Sequence, residues 1–448
     1  MSSALCILAF LVTAYVARKS LVGGIVTALA VGYFYGILRA NLNEMMSHFI
    51  FDGAVIGLYV GRALAMRRPE TFANSMQVRP WLILLVAWPT VLALLPIQDP
   101  MIQLVGLRGN VFLIPMVLLG AQMDVEERYK LSYYIAILNL LVFGFAIAEF
   151  TFGIGSFYPR NEVTDLIYRS RVDDGGQAYR IPATFTGSHA FAGTMVCTLP
   201  LLVEAWASHT LDRYKRYILV AGLVAATLGV FMAASRTHAV VLFLLIIVGT
   251  FSFQMRPSMM GMWLSIILVT GWFVFQDQRL QRFATLRDTD AIAVRIGGSV
   301  NANFATAVLE FPMGNGIGAG GTSIPYFLSD RLENPLWIEN EYARIQLELG
   351  LPGLLIWMAF IVWLFGWGLR RTLAQRGLGR RLAFAATVAY FVSGMTGTGL
   401  VTSIPQSVFI LLFAGWIIRY ESPPVLVARG ASDELAANRL QQIEALPR

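Results

Sequence analysis

The chain carries little charge and few of the residues that build disulfides and metal sites. Of its 448 residues, 14% are charged and 56% are hydrophobic, with only two cysteines and four histidines. In a soluble domain roughly a quarter of all residues are charged, so this composition excludes an ordinary water-soluble protein. Cys6 and Cys197 lie in apolar segments far apart in the sequence. They are predicted to be small buried hydrophobes and not a disulfide or a metal site.

Apolar runs of membrane-spanning length recur along the whole chain. They predict an all-α fold, a polytopic transmembrane helical bundle of about 12 or 13 spans, because the short first run could be re-entrant. A cleaved signal peptide is not expected, since the basic residues Arg18 and Lys19 follow the first run. The predicted spans lie near residues 3–17, 20–38, 49–66, 81–96, 109–123, 131–152, 190–207, 215–234, 237–254, 258–275, 351–369, 382–400 and 404–420.

Basic residues concentrate in alternate loops, and this alternation predicts the orientation. All three lysines, Lys19, Lys130 and Lys215, fall in the basic loops, which the positive-inside rule assigns to the cytoplasm. Segments 153–189 and 276–350 then lie on the opposite, outer side. The net charge of +7 reflects this orientation and attraction to anionic membrane lipids, so it does not indicate a nucleic-acid partner.

The same threading divides the chain into six parts. Three are groups of transmembrane helices, two are outer loops, of which the second is large and carries short helices, and the last is a frayed cytoplasmic tail. In chain order they are the N-terminal helices 1–152, the loop 153–189, the central helices 190–275, the large loop 276–350, the C-terminal helices 351–420 and the tail 421–448.

Every basic residue of the predicted outer segments is an arginine. The planar guanidinium group binds phosphate through two parallel hydrogen bonds, which the lysine ammonium cannot do. A general preference for arginine in surface loops explains any single one of these residues equally well, but it explains Arg180 and Arg236 less well. The residues are Arg160, Arg169, Arg171, Arg180, Arg236, Arg279, Arg282, Arg287, Arg295, Arg331 and Arg344.

The sequence Ser235-Arg236-Thr237-His238 joins two apolar runs on the outer side. A lone arginine at this depth usually extends its side chain to lipid phosphate. Ser235 and His238 add further donors, however, and therefore favour a specific anion site.

A second polar junction, residues 179–190, leads into an apolar run. Ser188 is predicted to cap the following helix, whose free N–H groups would point toward an anion. An ordinary cap and turn is the alternative. His189 is interpreted as a capping or packing residue before it is considered as a base.

The third polar segment, residues 337–353, reads as the start of a helix. Glu341, Arg344 and Glu348 lie on one face of this helix. They are predicted to form ion pairs with one another and to have a structural role. Glu339 lies on another face with no basic residue three or four positions away. Such a carboxylate is a candidate general base. The alternative is a solvated glutamate at a helix start, where the helix dipole favours a negative charge.

The stretch 312–321 is rich in glycine. It does not follow a strand and lies on the side of the membrane away from nucleotides, so a dinucleotide site is excluded. It is predicted to be a flexible loop whose N–H groups could face an anion.

Taken in order, these pieces resemble the bacterial O-antigen ligase and polymerase family. Arg180 through Phe191 is similar to that family's Arg-x-x-Gly-Thr-Phe lead-in to a helix, although Ala183 replaces the glycine. Ser235-Arg236 resembles its Ser-Arg junction, and 311–318 its Gly-x-Gly stretch. The most specific match is Glu339-Asn340-x-Tyr342 followed by Glu348-x-Gly350-x-Pro352-Gly353. The resemblance covers about residues 180–400.

The resemblance implies a GT-C-like inner-membrane glycosyltransferase facing the periplasm. Its donor would be an undecaprenyl-diphosphate-linked oligosaccharide, and it would transfer to a glycan acceptor with inversion, without a metal or cofactor. Flippase and chain-length regulator proteins are implied as possible partners. The implied catalytic residues are Glu339, Arg236 and Arg180, and the implied substrate-binding residues are Arg171, His189, Ser235, His238, Asn340 and Tyr342.

One departure from the family decides between its two activities. The family's signature histidine is replaced by Glu339, which can accept a proton but cannot act as a neutral donor near pH 7. A polymerase of exopolysaccharide or O-antigen repeat units is therefore favoured over a ligase. A lipid-linked glycan transporter or a non-catalytic assembly subunit remains the alternative of another class. The sequence offers no convincing internal repeat of the kind transporters carry.

Overall fold

The computed structural model describes most of the chain as helices joined by short loops. It covers residues 1–65, 76–169, 179–208, 212–252, 303–375 and 377–420, except 322, 323, 325, 335 and 337, with single positions at 261, 265, 290, 293 and 297. No β-strand occurs in these described parts. The helices are α1 (Ser2–Lys19), α2 (Leu21–Leu42), α3 (Ile50–Leu64), α4 (Arg79–Leu92), α5 (Pro100–Val111), α6 (Met116–Gln122), α7 (Val125–Phe152), α8 (Asp165–Arg169), α9 (Ser188–Ala207), α10 (Arg213–Met232), α11 (Arg236–Ser252), α12 (Phe304–Glu310), α13 (Glu341–Ala374), α14 (Leu378–Ser393) and α15 (Gln406–Ile418).

Seven helical segments of the described chain are long and apolar enough to cross a membrane. They are α1, α2, α5 with α6, α7, α9, α10 and α13, and the shorter helices α4, α11 and α15 are also apolar. This confirms the predicted all-α membrane bundle. The first run forms a continuous helix of 18 residues, which is long enough to span. The predicted span 258–275 lies outside the described residues apart from Gly261 and Ser265.

Two predicted spans begin earlier than the apolar pattern suggested. The segment expected at 109–123 starts at Pro100, where the Asp99 side chain accepts from the Met101 N–H at 2.8 Å and caps the helix. The charge that obscured this start is Arg108, which pairs with Asp52 of α3. The segment expected at 351–369 begins at Glu341 and is interrupted at Gly350, whose φ of 68° is not helical.

The helices run back and forth between two ends of the bundle. One end, here called the Arg180 end, gathers the described loops 43–49, 153–169, 179–187, 233–235, 312–340 and 394–405. Hydrogen bonds from helix ends and loops to distant loops fix this grouping: Asn41 to Phe157 O (3.1 Å), the Ile37 N–H to Thr184 O (3.0 Å), Gln98 to Asn315 O (2.8 Å) and the Glu341 N–H to Gly394 O (2.8 Å).

The opposite end, here called the Lys19 end, holds the described parts of the basic loops. Its contacts are Arg62 with Ala17 O (3.5 Å), Arg128 with Glu204 (3.3 Å), Arg381 with Ser252 O (3.1 Å) and Arg419 with Gln122 O (2.7 Å). The basic and the glycine-rich loops thus separate to opposite ends, as the charge pattern predicts. Which end faces the cytoplasm remains a prediction from that pattern.

Close helix packing depends on small residues at two crossings. Gly53, Gly57 and Gly61 line the face of α3 toward α1, and a Cβ at Gly57 would lie 2.4 Å from Phe10 O. Likewise, a Cβ at Gly120 of α6 would lie 2.0 Å from Leu412 O of α15. These contacts require glycine, because any side chain would separate the backbones.

Candidate functional site

Four of the residues singled out in the sequence meet at the Arg180 end. Arg180 Nη1 donates to His189 Nε2 at 3.1 Å, and its Nη2 lies 3.4 Å from Ala234 O. Ser235 Oγ lies 3.4 Å from His189 Nδ1 and 2.8 Å from His238 Nδ1. Two junctions that are some fifty residues apart therefore form one cluster, here called the Arg180 cluster.

Gln406, at the start of α15, completes this cluster and was not predicted. Its Nε2 lies 3.3 Å from His238 Nε2, while its Oε1 accepts from Ser403 Oγ at 3.3 Å. Gly193 makes room for it, because a Cβ there would lie 2.0 Å from Gln406 Oε1. Nothing in the apolar run around Gln406 distinguishes it from a residue of an ordinary helix start.

The hydrogen-bond partners determine which ring nitrogens carry protons. Arg180 and the amide of Gln406 are donors, so both histidines accept through Nε2. Each neutral imidazole then carries its proton on Nδ1, and both Nδ1 atoms face Ser235 Oγ. Because the oxygen accepts from both rings, its own hydroxyl proton is available for a further acceptor.

The backbone beside the cluster is strained at two alanines. Ala183 and Ala234 have φ values of 49° and 48°, in the left-handed region that favours glycine. The Ala183 N–H donates to Glu149 Oε2 at 2.9 Å, and the Tyr158 hydroxyl donates to Ala183 O at 2.5 Å. These buried contacts hold the turn after Arg180. Strained residues of this kind often mark functional sites.

The predicted cap of α9 is wrong. Gly187 is the N-cap residue, and no side chain caps the helix. Ser188 is the first helical residue, and its buried Oγ has no hydrogen-bond partner. Ser188 thus lies one residue after the position from which a side chain could cap the helix. The start of α9 therefore presents His189 on its exposed side toward Arg180.

The predicted pairing of Glu341, Arg344 and Glu348 is confirmed. Arg344 Nη2 donates to Glu341 at 2.7 Å and its Nη1 to Glu348 at 2.8 Å, with all three side chains buried. Asn110 of α5 donates to Glu348 at 2.6 Å. The Gly320 N–H also donates to Glu348, at 3.2 Å. This charge network is structural and ties α13 to α5.

The glycine-rich stretch 312–321 is packed, so the expectation of a flexible loop is wrong. The Asn315 N–H donates to Leu347 O at 2.6 Å. A Cβ at Gly318 would lie 2.6 Å from Ile102 O, and the residue has a φ of 89°. One backbone group of the stretch, the Gly320 N–H, meets an anion, and that anion is the carboxylate of Glu348.

A path of hydrogen bonds connects this network with the Arg180 cluster. Glu341 Oε2 accepts from the Gly399 N–H at 2.8 Å, and Gly399 O lies 3.3 Å from Ser407 Oγ. The neighbouring Gln406 reaches His238. The loop 394–405 therefore joins the start of α13 to the cluster.

The remaining predicted site residues lie at the starts of α13 and α11, and one lies outside the described residues. Asn340 caps α13 by accepting from the Tyr342 and Ala343 N–H groups, and Tyr342 Oη donates to Phe391 O at 2.5 Å. Glu339 is half-buried immediately before this cap, and Arg236 is half-buried at the start of α11. Arg171 lies outside the described residues.

Comparison with models of protein families and with curated proteins finds no match to this chain. The likeness to the O-antigen ligase and polymerase family therefore rests on the motif residues. Within the described parts of the chain, no three His, Cys, Asp or Glu side chains are grouped so that they could share a metal ion.

Proposed function

We propose that this protein is a glycosyltransferase of the bacterial inner membrane. It acts at the periplasmic face on undecaprenyl-diphosphate-linked glycans and joins their repeat units into a polysaccharide. The observation that carries the proposal is the meeting of Arg180, His189, Ser235 and His238 from two separate junctions. These are donors of the kind that bind a diphosphate, at one end of an apolar helical bundle.

In this proposal, Arg180 and Arg236 hold the diphosphate of the donor. The bond between the anomeric carbon and the phosphate oxygen breaks, and its electron pair remains on the diphosphate. Cationic donors at a site of low dielectric stabilise this developing charge. Ser235 adds a neutral donor, because both neighbouring imidazoles direct their Nδ1 protons to its oxygen.

Glu339 is the proposed general base. It accepts the proton of the acceptor hydroxyl while that oxygen forms the new bond to the anomeric carbon from the opposite face. The transition state resembles an oxocarbenium ion, and the configuration inverts. The support for this role is the position of Glu339 directly before the capped start of α13, which the loop 394–405 connects to the Arg180 cluster.

The helix starts add to the electrostatics of the proposed diphosphate site. α9 begins at Ser188 without a side-chain cap, and α11 begins at Arg236. Both N-termini lie beside the Arg180 cluster, and the dipole of each helix favours an anion at that end.

Mass spectrometry of lipid-linked glycans tests this function. Cells carrying the intact gene should make long chains, whereas Arg236→Ala at matched expression should accumulate single repeat units on undecaprenyl diphosphate at the periplasmic face. Arg160→Ala removes an exposed arginine at the same end and should behave as the intact protein.

The other outcomes identify the alternatives. Accumulation of full-length lipid-linked chains indicates the ligase activity of the same family. Single units retained on the cytoplasmic face indicate a transporter. Unchanged glycans in the Arg236→Ala strain would contradict a catalytic role for this arginine.

A further inference from the structure

A cavity of about 590 Å³ opens at the Arg180 end beside the Arg180 cluster. Its walls come from α2, α3, α5, the segment 162–165 and the loop 401–404. Arg180, His189, Ser235 and His238 do not line it. Its volume lies within the range of about 300–1,000 Å³ typical of small-molecule sites.

The charges of this cavity are nearly balanced. Arg39 and Arg108 line it together with three carboxylates, those of Asp52, Glu162 and Asp165. Arg108 binds Asp52 through two hydrogen bonds, at 2.6 and 2.7 Å. A cavity with this balance does not attract a diphosphate, which distinguishes it from the Arg180 cluster.

His48 adds a neutral polar group to the same wall. It lies in the turn between α2 and α3, where burial, with Arg39 and Arg108 nearby, lowers the pKa of His48 to about 4. Its imidazole is therefore neutral near pH 7 and offers one donor and one acceptor.

Aromatic rings lie beside both arginines of the cavity. The guanidinium carbon of Arg39 lies 5.9 Å from the centre of the Tyr35 ring, and that of Arg108 lies 6.0 Å from the centre of the Phe49 ring. Planar carboxylates and guanidinium groups bind vicinal hydroxyls through paired hydrogen bonds, while ring faces pack against apolar C–H groups. A sugar ring presents both kinds of surface.

The cavity shares a wall with the Arg180 cluster. Ser403 lines the cavity and donates to Gln406 Oε1 at 3.3 Å, and Gln406 Nε2 lies 3.3 Å from His238. On the other side, Thr186 lines the cavity two residues before the start of α9. A ligand in the cavity therefore lies next to the group that the cluster binds.

We infer that this cavity holds sugar rings of the acceptor glycan, bound by Arg39, Asp52 and Glu162 beside the aromatic side chains. The inference rests on the proposed function, because it names where that reaction would take its second substrate. The ligand in the cavity is an uncharged, hydroxyl-rich part of the glycan and not a phosphate.

The test is calorimetric binding to the full-length protein in lipid nanodiscs. The probe is the repeat-unit oligosaccharide released by mild acid from the lipid-linked glycans of the host cell, and inorganic pyrophosphate is the second probe. The intact protein should bind the oligosaccharide. Arg39→Ala and Glu162→Gln should each weaken binding about tenfold, as expected for a lost charge-assisted hydrogen bond.

Controls keep the outcomes separate. Arg160→Ala, which changes an exposed arginine outside the cavity, should bind the oligosaccharide as the intact protein does. Pyrophosphate affinity should not change in Arg39→Ala. Glu162 is exposed, so its variant is expected to fold even if changes at the buried Asp52 are not tolerated.

Two results would overturn the cavity assignment: no oligosaccharide binding to the intact protein, or binding by both cavity variants that is as tight as that of the intact protein. The cellular test of Arg236→Ala is independent of both results. Unchanged cellular glycans together with lost binding in the cavity variants would leave the sugar site standing and reject the proposed reaction. If Arg236→Ala cells accumulate repeat units but the purified intact protein does not bind the oligosaccharide, the proposed reaction would stand and the sugar site would be rejected.

Discussion

Gln406 Nε2 lies 3.3 Å from His238 Nε2, so α15 reaches the first turn of α11 across 168 positions of sequence. The contact makes the ring accept through Nε2 and leaves its Nδ1 proton facing Ser235. A residue of the C-terminal helices thus sets the proton arrangement of a cluster built from the middle of the chain.

Replacing Gln406 should impair activity without unfolding the protein. One hydrogen bond contributes about 1 kcal/mol, which corresponds to a roughly fivefold loss of polysaccharide formation in Gln406→Ala. Ser403→Ala removes the other bond of Gln406 and leaves the contact with His238, so its effect should be smaller. The length distribution of lipid-linked glycans measures both variants, and equal losses would contradict a specific role for the Gln406–His238 contact.

Glycine at position 183 should be tolerated, because Ala183 has a left-handed φ of 49°. Relief of the strain, about 1–2 kcal/mol, slightly exceeds the entropy that glycine adds to the unfolded chain, about 0.4–1 kcal/mol. Ala183→Gly should therefore raise the thermal unfolding midpoint or leave it unchanged. Ala359→Gly, at an exposed position within α13, should lower it, since helical glycine costs about 1 kcal/mol. A lower midpoint for Ala183→Gly would contradict the assigned backbone conformation.

The crossing of α1 and α3 should depend on Gly57. A valine Cβ at this position would lie 2.4 Å from Phe10 O, so Gly57→Val should destabilise the protein by more than the 1–3 kcal/mol typical of an overpacked core. Gly144 of α7 is the matched control, because a Cβ there meets nothing within 4 Å. Gly144→Ala should stabilise its helix by about 0.5–1 kcal/mol. Thermal unfolding in detergent compares them, and similar midpoints would contradict the close crossing.

The buried pairs of Arg344 should be structural. Arg344→Ala leaves the carboxylates of Glu341 and Glu348 without their cation, and breaking a buried pair costs about 3–5 kcal/mol. Folded protein should be largely lost, as measured by gel filtration after extraction. Arg236→Ala should elute as a normal folded species at the same expression. Equal yields of both variants would show that the network does not stabilise α13.

The sequence predicts structure correctly where the interacting residues are close together along the chain. The spacing of Glu341, Arg344 and Glu348 predicts their pairing, because residues three and four positions apart meet on a helix. The polarity of Ser235 and His238 within apolar surroundings likewise indicates that they share a site. Apolar runs predict most described helices, since a bilayer fixes their length.

Contacts between distant parts of the chain could not be predicted from the sequence. Arg108 obscures the start of α5 because its partner Asp52 lies 56 positions away. Gln406 carries no local signal, and the packing of Gly318 depends on Ile102 from another helix. The cap predicted at Ser188 is wrong because α9 already begins there, so that Gly187, which has no side chain, occupies the cap position. Ala183 has a positive φ, a backbone conformation that favours glycine.

Glycan transfer by the purified protein tests the proposed polymerase activity most directly. The full-length chain would be reconstituted in liposomes with undecaprenyl-diphosphate-linked repeat units, and products would be resolved by mass spectrometry. A ladder of longer lipid-linked glycans is expected, with one undecaprenyl diphosphate released per bond formed, and the ladder should be lost in Arg236→Ala and Glu339→Gln. Repeat units that stay unchanged with the intact protein, while the cells that supply it make long chains, would contradict the proposed polymerase.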